Sequence, residues 1–253
     1  MSSAIELIHS ATLLHDDVVD SSEKRRGKLS VNKVWGNKEA ILVGDFLYTK
    51  SFKMMVSINN INILKLMSNT TNIMSEGEIK QLINRKNFDI KEEDYLDIIR
   101  SKTGELFAAS ALSSAILATS EKNILKNSYE FGMHLGIAYQ LIDDMLDYFT
   151  DDEKFGKNMC DDILTGTFTL PLINLMKNDM YKKKIIIDII SKNSKEDFIK
   201  IKDLIIKSNS LDYTFKLAVY HIDKAKKALS SFKKSNFIML ANQLTDFIIN
   251  RKY

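Results

Sequence analysis

Six aspartates occur in two groups of identical spacing. In "LLHDDVVDSSEKRR", residues 13–26, Asp16, Asp17 and Asp20 stand at i, i+1 and i+4, and in "YQLIDDMLDYF", residues 139–149, Asp143, Asp144 and Asp147 repeat the pattern. Residues four apart share a helix face, so each group sets like charges side by side, where they repel. Carboxylates drawn into an apolar run need a counter-charge, and an all-oxygen donor set suits a hard divalent cation. One such group, in a chain that is 27% charged, reads as a solvated acidic turn. Two of them, each inside an apolar helical run and each followed by basic residues, read as facing walls of one cavity. Mg2+ keeps waters and binds through one or two carboxylates together with phosphate oxygens. The expected guest is therefore a diphosphate or polyphosphate bridged by Mg2+ to both walls.

The basic residues fit that guest. Arg25 and Arg26 follow the first group, and guanidinium forks match phosphate oxygens through paired hydrogen bonds. "SKTGEL" supplies Lys102 and Thr103, and Lys157 sits in the loop after the second group. Singly, each reads as a surface side chain. Together with metal ions they would pull on a diphosphate leaving group and stabilise the charge that develops as its bond breaks.

Helices must position these groups. The chain has one proline, Pro171, and nine glycines in 253 residues, a scarcity that favours long helices over sheets. Apolar spacing predicts helices over 1–20, 37–56, 63–85, 92–119 and 121–148, with a polar basic loop at 21–30 and a turn at 59–62. A loop over 151–168 precedes "TLPLI", whose proline suits a first helical turn. From 182 onward three or four amphipathic helices carry lysines outward. The expected fold is all-α: a single-domain helical bundle with a central cavity between two Asp-rich helices. A 45% hydrophobic content supports a real core. The net charge of +3, from 36 basic and 33 acidic residues, is too balanced for a nucleic-acid binder. Cys160 is the single cysteine, so no internal disulfide is possible, and no apolar run reaches membrane-spanning length. A soluble, cytoplasmic protein with no transmembrane segment is expected.

The segments "ELIHSATLLHDDVVDSSEKRRG", "GDFLYTKSF", "EGEIKQL", "SKTGELF", "GIAYQLIDDMLDY", "FGKNMCDDILTGTFTLPLI" and "DFIINRKY" closely resemble the trans-isoprenyl diphosphate synthases, the polyprenyl synthetase family. The likeness covers nearly the whole chain. It implies the isoprenoid synthase fold and a Mg2+-dependent prenyltransferase. An allylic diphosphate such as farnesyl diphosphate ionises, isopentenyl diphosphate attacks, and the chain grows by one isoprene unit. Carried over by motif, the resemblance makes Asp16 and Asp20 metal ligands with Asp17 in support, and Asp143 and Asp147 metal ligands with Asp144 beside them. Arg25, Lys102, Thr103, Gln140 and Lys157 would hold the allylic diphosphate, and His9 and Arg26 the isopentenyl diphosphate. Gln81 resembles a position lining the cavity. Thr12 and Ala11, four and five positions before the first aspartate, stand where bulky aromatics would floor the tunnel. Small residues there leave it open, which points to a long-chain, octaprenyl-type product for quinone side chains.

The chain departs from the family pattern in two places. It starts fifteen residues before Asp16, whereas the family has further helices there, with a Gly-Gly-Lys and Arg segment that holds isopentenyl diphosphate. An N-terminally shortened domain over 1–253 is expected. The loop pattern Gly-Lys-x-Thr is replaced by "GTFT", with Thr167 at the position of a diphosphate-contacting lysine and Cys160 where glycine is common. The alternative to an active synthase is a non-catalytic or regulatory subunit of a heteromeric synthase. Apolar surface left by missing helices suggests a homodimer, or a heterodimer with a related subunit.

Overall fold

The computed structural model describes residues 1–25, 27–149, 163, 165–192 and 195–251. Arg26, Lys157 and Cys160 lie outside the described residues, as does most of the loop expected over 151–168. Helix α1 (Ser2–Val19) leads into a small hairpin, β1 (Lys24–Arg25) antiparallel to β2 (Lys28–Leu29), and the short α2 (Val31–Trp35). The long helices α3 (Asn37–Val56) and α4 (Ile61–Ile83) follow, then α5 (Glu92–Ile99), a π-helical segment (Arg100–Gly104), α6 (Glu105–Ala118) and α7 (Lys122–Leu146). Beyond the loop come α8 (Leu170–Asn178), α9 (Met180–Lys192), α10 (Lys195–Ile206), α11 (Ser210–Leu229) and α12 (Asn236–Ile249). None of the described helices is long and apolar enough to cross a membrane.

The sequence cues explain most boundaries. Asn60 caps α4, its side-chain oxygen accepting from the backbone N–H of Asn62 at 3.0 Å, and Pro171 occupies the first turn of α8, where its missing N–H costs nothing. Two features differ from expectation. The basic loop holds a two-residue hairpin turning at Gly27, whose φ of 75° is a conformation that glycine tolerates best. The stretch read as one helix over 92–119 is interrupted at Arg100–Gly104 by π geometry. Both faces of that interruption are tightly packed: an added Cβ on Gly77 of α4 would come within 2.8 Å of Ser101 Cβ, and one on Gly104 within 2.7 Å of Met133 Sδ. The cause is tertiary, which is why the local pattern does not announce it.

Among the described residues two hydrophobic cores support the bundle. The larger centres on α7 and includes Leu141, Ile142, Leu170, Leu172, Ile186, Ile201 and Ile205. Each fully buried aliphatic there contributes about 1.5–3 kcal/mol. The smaller lies between α1, α3, α4 and α6 and includes Ala4, Ile8, Met55, Ile63, Met67 and Met74. Each core carries one of the aspartate groups on its edge.

Candidate active site

On α1 the spacing of His9, Thr12, Asp16 and Asp20 aligns them along one face. Asp16 is half-buried, and burial first, then the neighbouring Glu78 carboxylate, push its pKa up to about 7 against the opposing pull of Lys102. Asp20 is ion-paired with the Arg85 guanidinium, which arrives just past the end of α4. Asp17 is directed elsewhere. It is 2% exposed and receives Arg25, whose Nε donates to both carboxylate oxygens at 3.0 and 2.9 Å and whose Nη2 donates at 2.7 Å. The hairpin folds Arg25 back over α1, and Asn32 secures it by donating to the Asp17 backbone carbonyl at 3.1 Å. Ala11 is fully buried in the bundle, and the Thr12 hydroxyl donates to the His9 carbonyl at 2.9 Å.

The second group occupies the end of α7, with Asp147 as its C-cap. Asp144 is buried and accepts from the Tyr95 hydroxyl at 2.5 Å and from Gln140 Nε2 at 2.7 Å. Burial and the adjacent Asp144 push the Tyr95 phenol well above its ordinary pKa, so it stays a donor. Asp143 accepts from Arg251 Nη2 at 3.1 Å, and that guanidinium lies 4.9 Å over the Tyr139 ring.

The π segment joins the two groups. Lys102 Nζ lies 2.8 Å from a Glu78 oxygen and also donates to Gln81, while the adjacent Thr103 hydroxyl donates to Gln140 at 2.9 Å. Lys102 thus acts electrostatically on Asp16, and its neighbour Thr103 connects through Gln140 to Asp144. The structure brings together Asp16, Asp20, Lys102, Gln81, Thr103, Gln140 and Asp144, and turns Arg25 onto Asp17. Glu78, Arg85, Tyr95 and Arg251 join the site without having been singled out in the sequence. For Glu78 and Arg85 a signal existed, since with Gln81 they follow helical spacing of three and four.

Divalent ions fit this donor set. Burial first, then the Glu78 and Asp20 carboxylates, disfavour the charged form of Asp16, and a cation bound among these oxygens would relieve both the desolvation and the repulsion. Among the described residues no three histidine, cysteine, aspartate or glutamate side chains converge tightly enough to hold a metal alone. Also among the described residues, Arg85 Nε and Arg251 Nη1 are buried donors without a hydrogen-bond partner. An open groove of about 540 Å3 between α3 and α4 is lined by Tyr48, Phe52, Ser68, Thr71 and Ser75. Thr71 and Ser75 precede Glu78 on the same face of α4.

Comparison with known proteins agrees with this architecture. The profile of the family described as Polyprenyl synthetase matches residues 1–205. The chain is 43% identical over 227 residues to the octaprenyl diphosphate synthase of Escherichia coli K12, covering 89% of this chain and 70% of that one. It is 32% identical to the heptaprenyl diphosphate synthase component 2 of Bacillus subtilis, over 98% of this chain and 71% of that one. A crystal structure of a Caulobacter crescentus polyprenyl synthase, complexed with calcium and isoprenyl diphosphate, superposes with a TM-score of 0.93 at 38% identity, over 99% of this chain and 77% of that one. The all-α fold, the paired aspartate groups and these likenesses agree: the chain belongs to the polyprenyl synthetase family, whose members are prenyl-chain-elongating enzymes.

Proposed function

We propose that the chain, as one isoprenoid synthase domain over 1–253, elongates an allylic diphosphate such as farnesyl diphosphate with isopentenyl diphosphate in a Mg2+-dependent condensation. The product is a long-chain polyprenyl diphosphate of the kind attached to quinones, made in the cytoplasm, where a single unpaired cysteine stays reduced. In this condensation the allylic C1–O bond breaks and diphosphate leaves. The isopentenyl double bond supplies the electrons of the new C–C bond, and loss of a proton restores an alkene.

The observation that carries this reading is the pair of aspartate groups joined through Lys102, Thr103 and Gln140. Bound Mg2+ would supply the positive charge that makes diphosphate a competent leaving group. In this reading Asp16 and Asp20 hold metal at the first wall and Asp143 and Asp147 at the second. Asp17 and Asp144 instead orient their neighbours: Asp17 fixes Arg25, and Asp144 fixes Gln140. Arg25, Lys102, Thr103, Gln140 and Lys157 would hold the allylic diphosphate, with His9 and Arg26 on isopentenyl diphosphate. Donors already locked by the fold need no reorganisation as charge moves onto the departing oxygens. The groove between α3 and α4 is the space we assign to the growing tail.

The test is a product assay with Mg2+, farnesyl diphosphate and labelled isopentenyl diphosphate, the products dephosphorylated and sized. Long-chain products that disappear in an Asp16→Ala, Asp143→Ala double variant support the reading; product formation that survives the double variant overturns it. A second reading, a subunit needing a related partner, is supported by the name of the Bacillus relative as a component and by exposed Phe237, Leu240, Leu244 and Phe247 along α12. No turnover alone, but turnover on adding a full-length synthase subunit, would favour it. Light scattering separates a homodimer from a monomer awaiting a partner.

A further inference from the structure

We propose that Arg85 is a diphosphate-binding residue of the first wall, pairing with Asp20 in the unloaded protein and passing to a diphosphate oxygen once metal takes Asp20. The inference rests on the reading of the site given above. Three observations carry it. The Arg85 guanidinium reaches 65 residues back along the chain to pair with Asp20, on the same face of α1 as Asp16. Its Nε is buried and has no partner among the described residues, an arrangement that is costly where no ligand completes it. A planar fork with one arm on a carboxylate and another unsatisfied suits a tetrahedral oxyanion beside that carboxylate.

The third observation concerns the neighbouring loop. The Lys86 backbone N–H donates to the Gly166 carbonyl at 2.8 Å, so residues 85–86 and the loop carrying Thr167 are adjacent. Thr167 supplies no charge at the position where the sequence pattern leads one to expect a lysine. Arg85 brings a cation to that corner from the end of α4. Asp20 is then shared: the guanidinium holds it before loading, and a divalent ion competes for it afterwards.

The experiment is calorimetric titration of the full chain with inorganic pyrophosphate in Mg2+, and separately with Mg2+ alone, for the wild type, Arg85→Met and Arg85→Lys. Arg85→Met is expected to weaken Mg2+-dependent pyrophosphate binding about 10- to 100-fold, the equivalent of one hydrogen bond to a charged group. Arg85→Lys loses less, because it keeps the charge and lacks only the fork. Mg2+ alone binds Arg85→Met no more weakly than the wild type, since Asp20 has lost its competitor. These opposite responses are what a merely structural arginine would not produce. Unchanged pyrophosphate affinity in Arg85→Met, or parallel weakening of both ligands, overturns the inference. If Arg85→Met does not fold, the comparison is made on Arg85→Lys, where unchanged pyrophosphate affinity overturns it equally. A wild type that binds no pyrophosphate overturns the reading of the site itself, and this inference with it.

Discussion

The two aspartate groups share a spacing and differ in how they are held. On α1 the middle aspartate, Asp17, is fixed by a full charge, the three-contact pairing with Arg25. On α7 the corresponding Asp144 is fixed by neutral donors, the Tyr95 phenol and the Gln140 amide. The first group sits on the smaller core, and beside it Gly44 of α3 faces the His15 side chain. The second sits on the larger core, where Gly132 and Gly136 let α7 press against the backbone of α6 and the π segment. One wall is therefore fastened by an ion pair, and the other by neutral hydrogen bonds on a helix whose glycines meet neighbouring backbone.

The largest expected effect would erase the difference between the walls. Asp16→Ala and Asp143→Ala should each lower the rate of chain elongation about 10^3-fold, the scale of losing one focused electrostatic contact, with little change in melting temperature. A large loss at one wall and a small one at the other, read by labelled-substrate turnover, would mean that one wall alone does the chemistry. The next effect tests rigidity. A Cβ at Gly132 would meet the Phe107 carbonyl oxygen and stand 2.6 Å from Ala108 Cα, both backbone, so Gly132→Ala should cost about 1–3 kcal/mol. The nearest atoms to a Cβ on Gly44 are those of the His15 imidazole, whose weak contacts to the Ile41 carbonyl oxygen at 3.3 Å and Asp45 at 3.4 Å would be lost as it moves. Gly44→Ala gains up to about 1 kcal/mol of helix propensity, so denaturant melts should place it near the wild type.

Smaller effects separate the two kinds of fastening. Asp17→Asn removes the charge facing Arg25 and should cost about 2 kcal/mol, below the figure for a fully buried pair because the arginine keeps 36% of its side chain in water. Asp144→Asn leaves an acceptor for Tyr95 and should cost about 1 kcal/mol. Equal losses in urea titrations would show that charge plays no special part on the first wall. The smallest effect is a pH dependence contributed by a histidine pair between α7 and α11. His134 on α7 and His221 on α11 approach with Nδ1 to Nδ1 at 2.9 Å, and Glu130, Lys224 and Arg100 are the charged groups around them. Burial, then His134 and Lys224, lower the His221 pKa from 6.5 to about 4, so the fold favours neutral imidazole. Stability from this group is complete above pH 6.5 and lost as pH falls toward 4. His221→Asn should flatten the melting temperature over that window.

Much of this site is legible in the sequence. The two aspartate patterns, the helices that carry them, and Lys102, Thr103 and Gln140 follow from spacing alone or from family likeness. The assignment of middle aspartates to Arg25 and Tyr95 does not, because a helical pattern places Asp17 and Asp144 beside the lining residues without saying which way each turns. Arg251 is still less visible, since it meets Asp143 across 108 residues of chain and belongs to no local pattern. The π segment leaves no trace of its own: "IIRSKTGEL" contains one glycine and otherwise reads as unbroken helix. Its geometry is imposed by α4 on one side and α7 on the other.

That segment acts as a calliper. A π turn closes i to i+5 and so rotates the chain less per residue than an α turn, which keeps sequence neighbours pointing in similar directions. Ser101 and Lys102 address α4, and Thr103 and Gly104 address α7. Regular helix through the same four positions would fan them more widely and aim either the ammonium or the hydroxyl out of the gap. Under the proposed reading the span offered to a diphosphate is thereby gauged by backbone hydrogen bonding, and deletion of one residue there would turn Lys102 or Thr103 away from the gap without touching either aspartate group.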